Sequence, residues 1–149
     1  MSFEFFADRN CGCHVFPEAL REAGIIVHRH RDHFRDDVED DVWLPAVAER
    51  GWIALSFDRR IKKNELERDA VFVSGARLIL MTGANAGAPE QARNFINTYR
   101  KIEDYLSHNP APFIARVRRP SPADLVLGKP GTIDTYLSFE DWRARYGSP

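Results

Sequence analysis

The sequence predicts an α/β protein of three layers, α/β/α, around a central, mainly parallel sheet of four to five strands. Three observations predict it. Residues 3–7 and 52–57 are apolar at nearly every position, the pattern of strands covered on both faces. Each run stops on a carboxylate, Asp8 in one case and Asp58 in the other. Between the apolar runs lie stretches of helical pattern closed by Gly24, Gly51 and Gly75, the order expected of β–α–β units with right-handed crossovers.

The chain has 149 residues, near the common size of one domain, and enough to bury a real core. Hydrophobic residues make up 44% and charged residues 29%, an ordinary globular mix. The net charge of −1 means that any nucleic-acid binding depends on a local basic patch rather than on bulk charge. No run of 18 apolar residues and no signal-peptide pattern is present, so the expectation is a cytoplasmic protein with no membrane span. Cys11 and Cys13 stand too close in sequence to form a useful disulfide staple.

The elements follow in order. The first strand covers about 3–7 and gives way to a polar loop, Asp8-Arg9-Asn10-Cys11-Gly12. Residues 17–23 read as a helix with Pro17 in its first turn and Gly24 as its stop. Residues 25–27 form the second strand. Residues 28–41 are dense in charge and begin as loop. A helix from about Asp40 to Arg50 carries Trp43, Leu44, Val47 and Ala48 as its apolar stripe. At 100° per residue, Asp40 falls within that stripe and Asp41 at its edge. Pro45 removes one early hydrogen bond from this helix. The third strand, about 52–57, ends at Asp58, and a helix runs on to about Val73. Residues 77–82 are the fourth strand, and a long helix follows from Pro89 to about Leu106. Residues 113–118 read as a fifth strand, placed at the edge. Residues 1–119 are taken as the domain. Residues 120–149, weakly patterned and holding four of the nine prolines, are taken as an appendage packed on the domain or on a partner. Within it, residues 139–146 form a short helix capped by Ser138.

In open parallel sheets chemistry sits at the carboxyl ends of the strands. Asp8, Asp40 and Asp58 come from three elements that such a sheet brings to one edge. Three carboxylates together repel one another unless a cation is present, and hard ions such as Mg²⁺ or Mn²⁺ take oxygen ligands. Each Asp is equally suited to a turn or a helix cap. Arg9, Arg59, Arg60, Lys62 and Lys63 flank two of the acids, as a track for a phosphate backbone or as a solvated basic face. Asn10, Asp41 and Thr82 are supporting polar candidates, and Thr82 could orient a water or phosphate or bond its own backbone; Asn85 is a weaker case. His28, His30 and His33 with Asp32 and Asp36, and Cys11, Cys13 and His14, lack any recognised zinc spacing. His28 or His33 is expected beside the acidic cluster or at the RNA. Trp43 and Trp52 are expected in the core.

Taken together, FFADRN, PEALREAGIIVHRHRDHF, DDVWLPAVAERGWIALSFDRRI and GARLILMTG resemble the PIN-like proteins. These are compact relatives of the PIN-domain ribonucleases, to which the VapC-type toxins of toxin–antitoxin systems belong. The resemblance covers about residues 3–106. It implies a metal-dependent endoribonuclease in which Asp8, Asp40 and Asp58 are catalytic and hold Mg²⁺ or Mn²⁺. It also implies RNA and a cognate antitoxin as partners, and a homodimer. PIN domains often carry a fourth acid after the fourth strand, where this chain reads Thr82-Gly83-Ala84-Asn85-Ala86-Gly87. That departure leaves open a non-catalytic module that binds RNA or a partner protein. Asn10, standing where a haloacid-dehalogenase-type phosphatase has a second Asp, argues against that class.

Overall fold

The computed structural model describes residues 3–12, 14–35, 37–57, 65–82 and 87–147, with the side chains of residues 40 and 41 outside the description. The elements are β1 (Glu4–Ala7), α1 (Val15–Glu22), β2 (Ile26–Arg29), α2 (Asp40–Glu49), β3 (Ile53–Ser56), α3 (Glu65–Ser74), β4 (Arg77–Met81), α4 (Ala88–His108), β5 (Phe113–Arg118), α5 (Pro122–Val126), β6 (Thr132–Ser138) and α6 (Phe139–Tyr146). Their strands form one sheet in the order β2-β1-β3-β4-β5-β6. The first five are parallel, and β6 runs antiparallel to β5.

Alternation along the strands splits the core into two faces. Phe5, Ile53, Leu55 and Ile79 pack against Phe16 and Leu20 of α1 and Phe95 and Ile102 of α4. Phe6, Ala54, Leu78 and Leu80 pack against Trp43, Leu44 and Val47 of α2 and Val71 and Phe72 of α3. The three-layer arrangement is therefore present. Phe6 is wholly buried, with Trp43 at 5.2 Å and Phe34 at 5.7 Å between ring centroids. Burying one such ring is worth about 1.5–3 kcal/mol. Trp43 is core as expected. Trp52 is only half buried and packs at the rim of the same cluster.

The sheet is wider than the four to five strands expected, and β5 is not its edge. Residues 132–138 supply β6, which pairs along the whole of β5, with Tyr136 skipped in the register between Ile114 and Ala115. The sequence of β6 hides the strand because an edge strand buries little: Leu137 is its one buried side chain. The helix over 139–146 forms as expected, and Ser138 Oγ accepts from the Asp141 N–H at 3.1 Å. Trp142 stacks on Phe72 of α3 at 5.0 Å and donates from Nε1 to Asp69 Oδ1 at 2.8 Å. At the other edge, Arg21 donates from Nε and Nη2 to the Val27 carbonyl at 3.1 and 2.8 Å, which occupies an edge acceptor that would otherwise invite another strand.

The turn into β6 passes close to the end of β5. Gly131 N–H donates to Thr98 Oγ1 at 2.9 Å, and its carbonyl accepts from Lys101 Nζ at 3.1 Å. A Cβ at position 131 would overlap the Arg118 carbonyl. Gly131→Ala is therefore expected to destabilise the fold by about 1–3 kcal/mol through overpacking, measured as a shift in the urea midpoint. An unchanged midpoint would show that the turn relaxes freely.

Candidate functional site

Asp8 follows directly on β1 and is 4% exposed. A carboxylate buried to this degree needs donors, and the local chain provides them. Asp8 caps the short 3-10 turn Arg9–Cys11, with Oδ1 accepting from the Arg9 N–H at 2.6 Å. Its other oxygen, Oδ2, accepts from Ser56 Oγ at 3.1 Å. The parallel register makes this contact possible: Ala7 lies beside Leu55, so the next residues along each strand, Asp8 and Ser56, stand side by side on one face. The Asp8 N–H continues the ladder to the Leu55 carbonyl at 3.0 Å.

Asn10 locks the pair. Its Nδ2 donates to Ser56 Oγ at 3.2 Å, which leaves the serine proton for Asp8. Its Oδ1 accepts from the Phe57 N–H at 3.1 Å. One amide thus ties the loop after β1 to the chain leaving β3, immediately before Asp58. Beneath them lies the Cys11 thiol, which contacts the Leu55 carbonyl at 3.5 Å. Burial, reinforced by the charge of Asp8, pushes this thiol well above its ordinary range and keeps it protonated.

The remaining sequence candidates divide by position. Arg9 is exposed next to Asp8. Asp40 is the first residue of α2. This helix connects two strands that run parallel, so it runs back against them, and its N-terminus lies toward the carboxyl end of the sheet. The side chains of Asp40 and Asp41 lie outside the described residues, as do Asp58, Arg59, Arg60, Lys62, Lys63, Cys13, Asp36 and Asn85. Thr82 sits at the same edge, one residue beyond β4. Its N–H donates to the Val117 carbonyl at 3.0 Å, and its hydroxyl accepts from the Arg119 N–H at 3.4 Å, so it pins the end of β5. Ser56 was not among the residues singled out from the sequence. Its one signal was being the polar member of an apolar run, two positions before Asp58 in the sequence.

The histidines gather around Phe6 and Trp52. His28 stacks on Trp52 at 3.7 Å, and its Nε2 lies 2.9 Å from Glu4 Oε1 at the start of β1. His33 stands edge-on to Trp52 at 5.1 Å and 5.6 Å from His28. His30 is 3% exposed and packs on Phe6 and Trp43. Among the described residues no three His, Cys, Asp or Glu side chains are arranged to hold a metal. None of the described helices is long and apolar enough to cross a membrane.

Comparison with known proteins agrees with this architecture. The profile of a family described as "PIN like domain" matches residues 3–83. VapC45 of Mycobacterium tuberculosis, named as a candidate ribonuclease, is 34% identical over 116 residues, covering 75% of this chain and 83% of the relative. No solved structure matches the chain at a significant level.

His33 offers a check on the aromatic cluster. Burial, then the neighbouring charges of His28 and Arg50, hold its pKa below the ordinary 6.5, against a smaller opposing effect of Asp32. The unfolded chain therefore takes up this proton more readily than the folded one. The stability tied to His33 is whole above pH 6.5 and is lost as the pH falls through the lowered folded value. Thermal unfolding at stepped pH should show a shallower acid-side loss for His33→Gln than for the wild type. Identical slopes would contradict the assignment.

Proposed function

The chain belongs to the PIN-like domain family, and on that premise we propose that it is a metal-dependent endoribonuclease, the toxin of a toxin–antitoxin pair. Its partners on this reading are RNA, a cognate antitoxin and a second copy of the chain, in the cytoplasm. The observation that supports it best is Asp8, a buried carboxylate held by two donors at the carboxyl end of a parallel sheet.

Asp8 fits the metal that the family implies. It offers only oxygen, the donor preferred by Mg²⁺ and Mn²⁺, and the hydrogen bonds from Arg9 and Ser56 hold that carboxylate at the carboxyl end of the sheet. Asp8, Asp40 and Asp58 would hold the ion. Bound there, it supplies charge neutralisation at a phosphate and a water made more acidic. The rest is the work of the chain. The Ser56 hydroxyl fixes the rotation of the Asp8 carboxyl group, and Asn10 fixes Ser56. This is the outer layer of contacts that orients a ligating carboxylate. Arg9, Arg59, Arg60, Lys62 and Lys63 would draw the RNA backbone to this edge, and Asp41 and Thr82 would add polar contacts.

A second reading, a non-catalytic module that binds RNA or a protein, has one observation in its favour. No acid occurs over residues 82–87, and the first carboxylate after β4, Glu90, is engaged with Arg119 at 3.6 Å.

Cleavage of a mixed RNA substrate with Mn²⁺ tests the proposal. Asp8→Asn and Asp58→Asn should each lower the rate by about two orders of magnitude or more, the scale of losing a group that stabilises transition-state charge. Chelator should abolish cleavage in the wild type. Undiminished cleavage by folded Asp8→Asn protein refutes the proposal; RNA binding that survives chelator, with no product from the wild type, decides for the second reading.

A further inference from the structure

The chain carries 21 cations against 22 acids, but the cations are not evenly spread. Several arginines stand where parallel strands end: Arg9 after β1, Arg29 at the end of β2, and Arg118 and Arg119 at the end of β5. Their situations differ. Arg29 is engaged with Asp32 at 2.8 Å. Arg116, two residues back on β5, pairs with Asp134 at 3.1 Å and lies near the Tyr136 ring. Arg119 meets Glu90 at 3.6 Å, with both side chains about two-fifths exposed, a pairing that water weakens. Arg118 is exposed and has no ion-pair partner among the described residues.

Arg118 is nonetheless held firmly. Its backbone closes β5 against β6, opposite Thr132. Gly131 presses on its carbonyl, and Gly131 is itself fastened to Thr98 and Lys101. The next N–H, of Arg119, is taken by Thr82. A cation on so fixed a base loses little backbone freedom on binding.

Register gives its place relative to Asp8. Asp8 is level with Ser56, Ser56 with Leu80, and Leu80 with Arg116. Arg118 is two residues further along β5 and shares the strand face of Ile114 and Arg116. That is also the face continued by Asp8 and Ser56 beyond Phe6 and Ala54. Three strand spacings and two residue rises put the two positions about 16 Å apart. This is too far for both to serve one phosphate.

We propose that Arg118 binds a second backbone phosphate of the same RNA strand, so that a single strand lies across the carboxyl edge of the sheet from Asp8 past Thr82 to β5. This rests on the ribonuclease reading above and adds to it a substrate of several nucleotides, held at both ends. A substrate spanning only the scissile bond does not reach Arg118.

The test is binding of fluorescently labelled single-stranded RNA, about a dozen nucleotides long, in chelator so that nothing is cut. Arg118→Glu should weaken it about tenfold or more, the scale of one charge-assisted contact. Arg118→Gln should lower the salt slope by about 0.7, the counterion share of one phosphate on a single strand. Arg100→Glu, the same charge change on the exposed side of α4, should leave affinity and slope unchanged. If both reversals weaken binding equally, only bulk charge is at work and the inference fails. If Arg118→Glu binds as the wild type does, the inference fails while the ribonuclease reading stands. If the wild type binds no RNA with or without Mn²⁺, both fail.

Discussion

A buried carboxylate at the end of a strand must be met by donors, and much of this structure follows from how Asp8 is met. Its hydrogen bond from Ser56 exists only because β1 and β3 are neighbours in parallel and in one register. A slip of one strand by one residue would leave the two side chains on opposite faces. The register is in turn enforced by the core, where Phe5 and Phe6 are wholly buried against different helical layers. The same alternation that sorts the two aromatic rings therefore aims the carboxylate. Asn10 extends the constraint across 47 residues of chain to the Phe57 N–H, so the loop after β1 and the exit of β3 are held together.

The carboxyl edge of the sheet thus combines the buried Asp8 carboxylate with exposed arginines. Arg9 is beside Asp8, and β5 ends in Arg118, with Arg119 the next residue. The antiparallel β6 matters here although it carries no candidate site residue. By covering β5 it makes an interior strand of what would otherwise fray. The turn before it, at Gly131, sets the end of β5 in place. Residues 120–149 contribute to the fold by this strand and by α6, which rests on α3 through Trp142 and Phe72.

Most of the parallel sheet was legible in the sequence because its strands are buried on both faces and read as apolar runs. Asp8 was legible for the same reason: it is the residue on which such a run stops. Two features were not. The strand Thr132–Ser138 buries one side chain and alternates weakly, so its pairing is decided by β5 and not by its own pattern. The role of Ser56 depends on Asn10, 46 positions away in sequence, and no local pattern records such a pairing. The histidines illustrate the reverse case. Their density suggested a place beside the acidic cluster or at the RNA; what holds them is stacking, with His28 and His33 packed on Trp52 and His28 also in contact with Glu4.

On the proposed function, Asp8 is a metal ligand oriented by Ser56. Calorimetric titration of Mn²⁺ into wild-type, Asp8→Asn and Ser56→Ala proteins, without RNA, tests it most directly. Mn²⁺ should bind the wild type, fail to bind Asp8→Asn, and bind Ser56→Ala with an affinity lowered by about tenfold or more, as for other groups that orient a metal ligand. Equal Mn²⁺ affinity in all three proteins would contradict it.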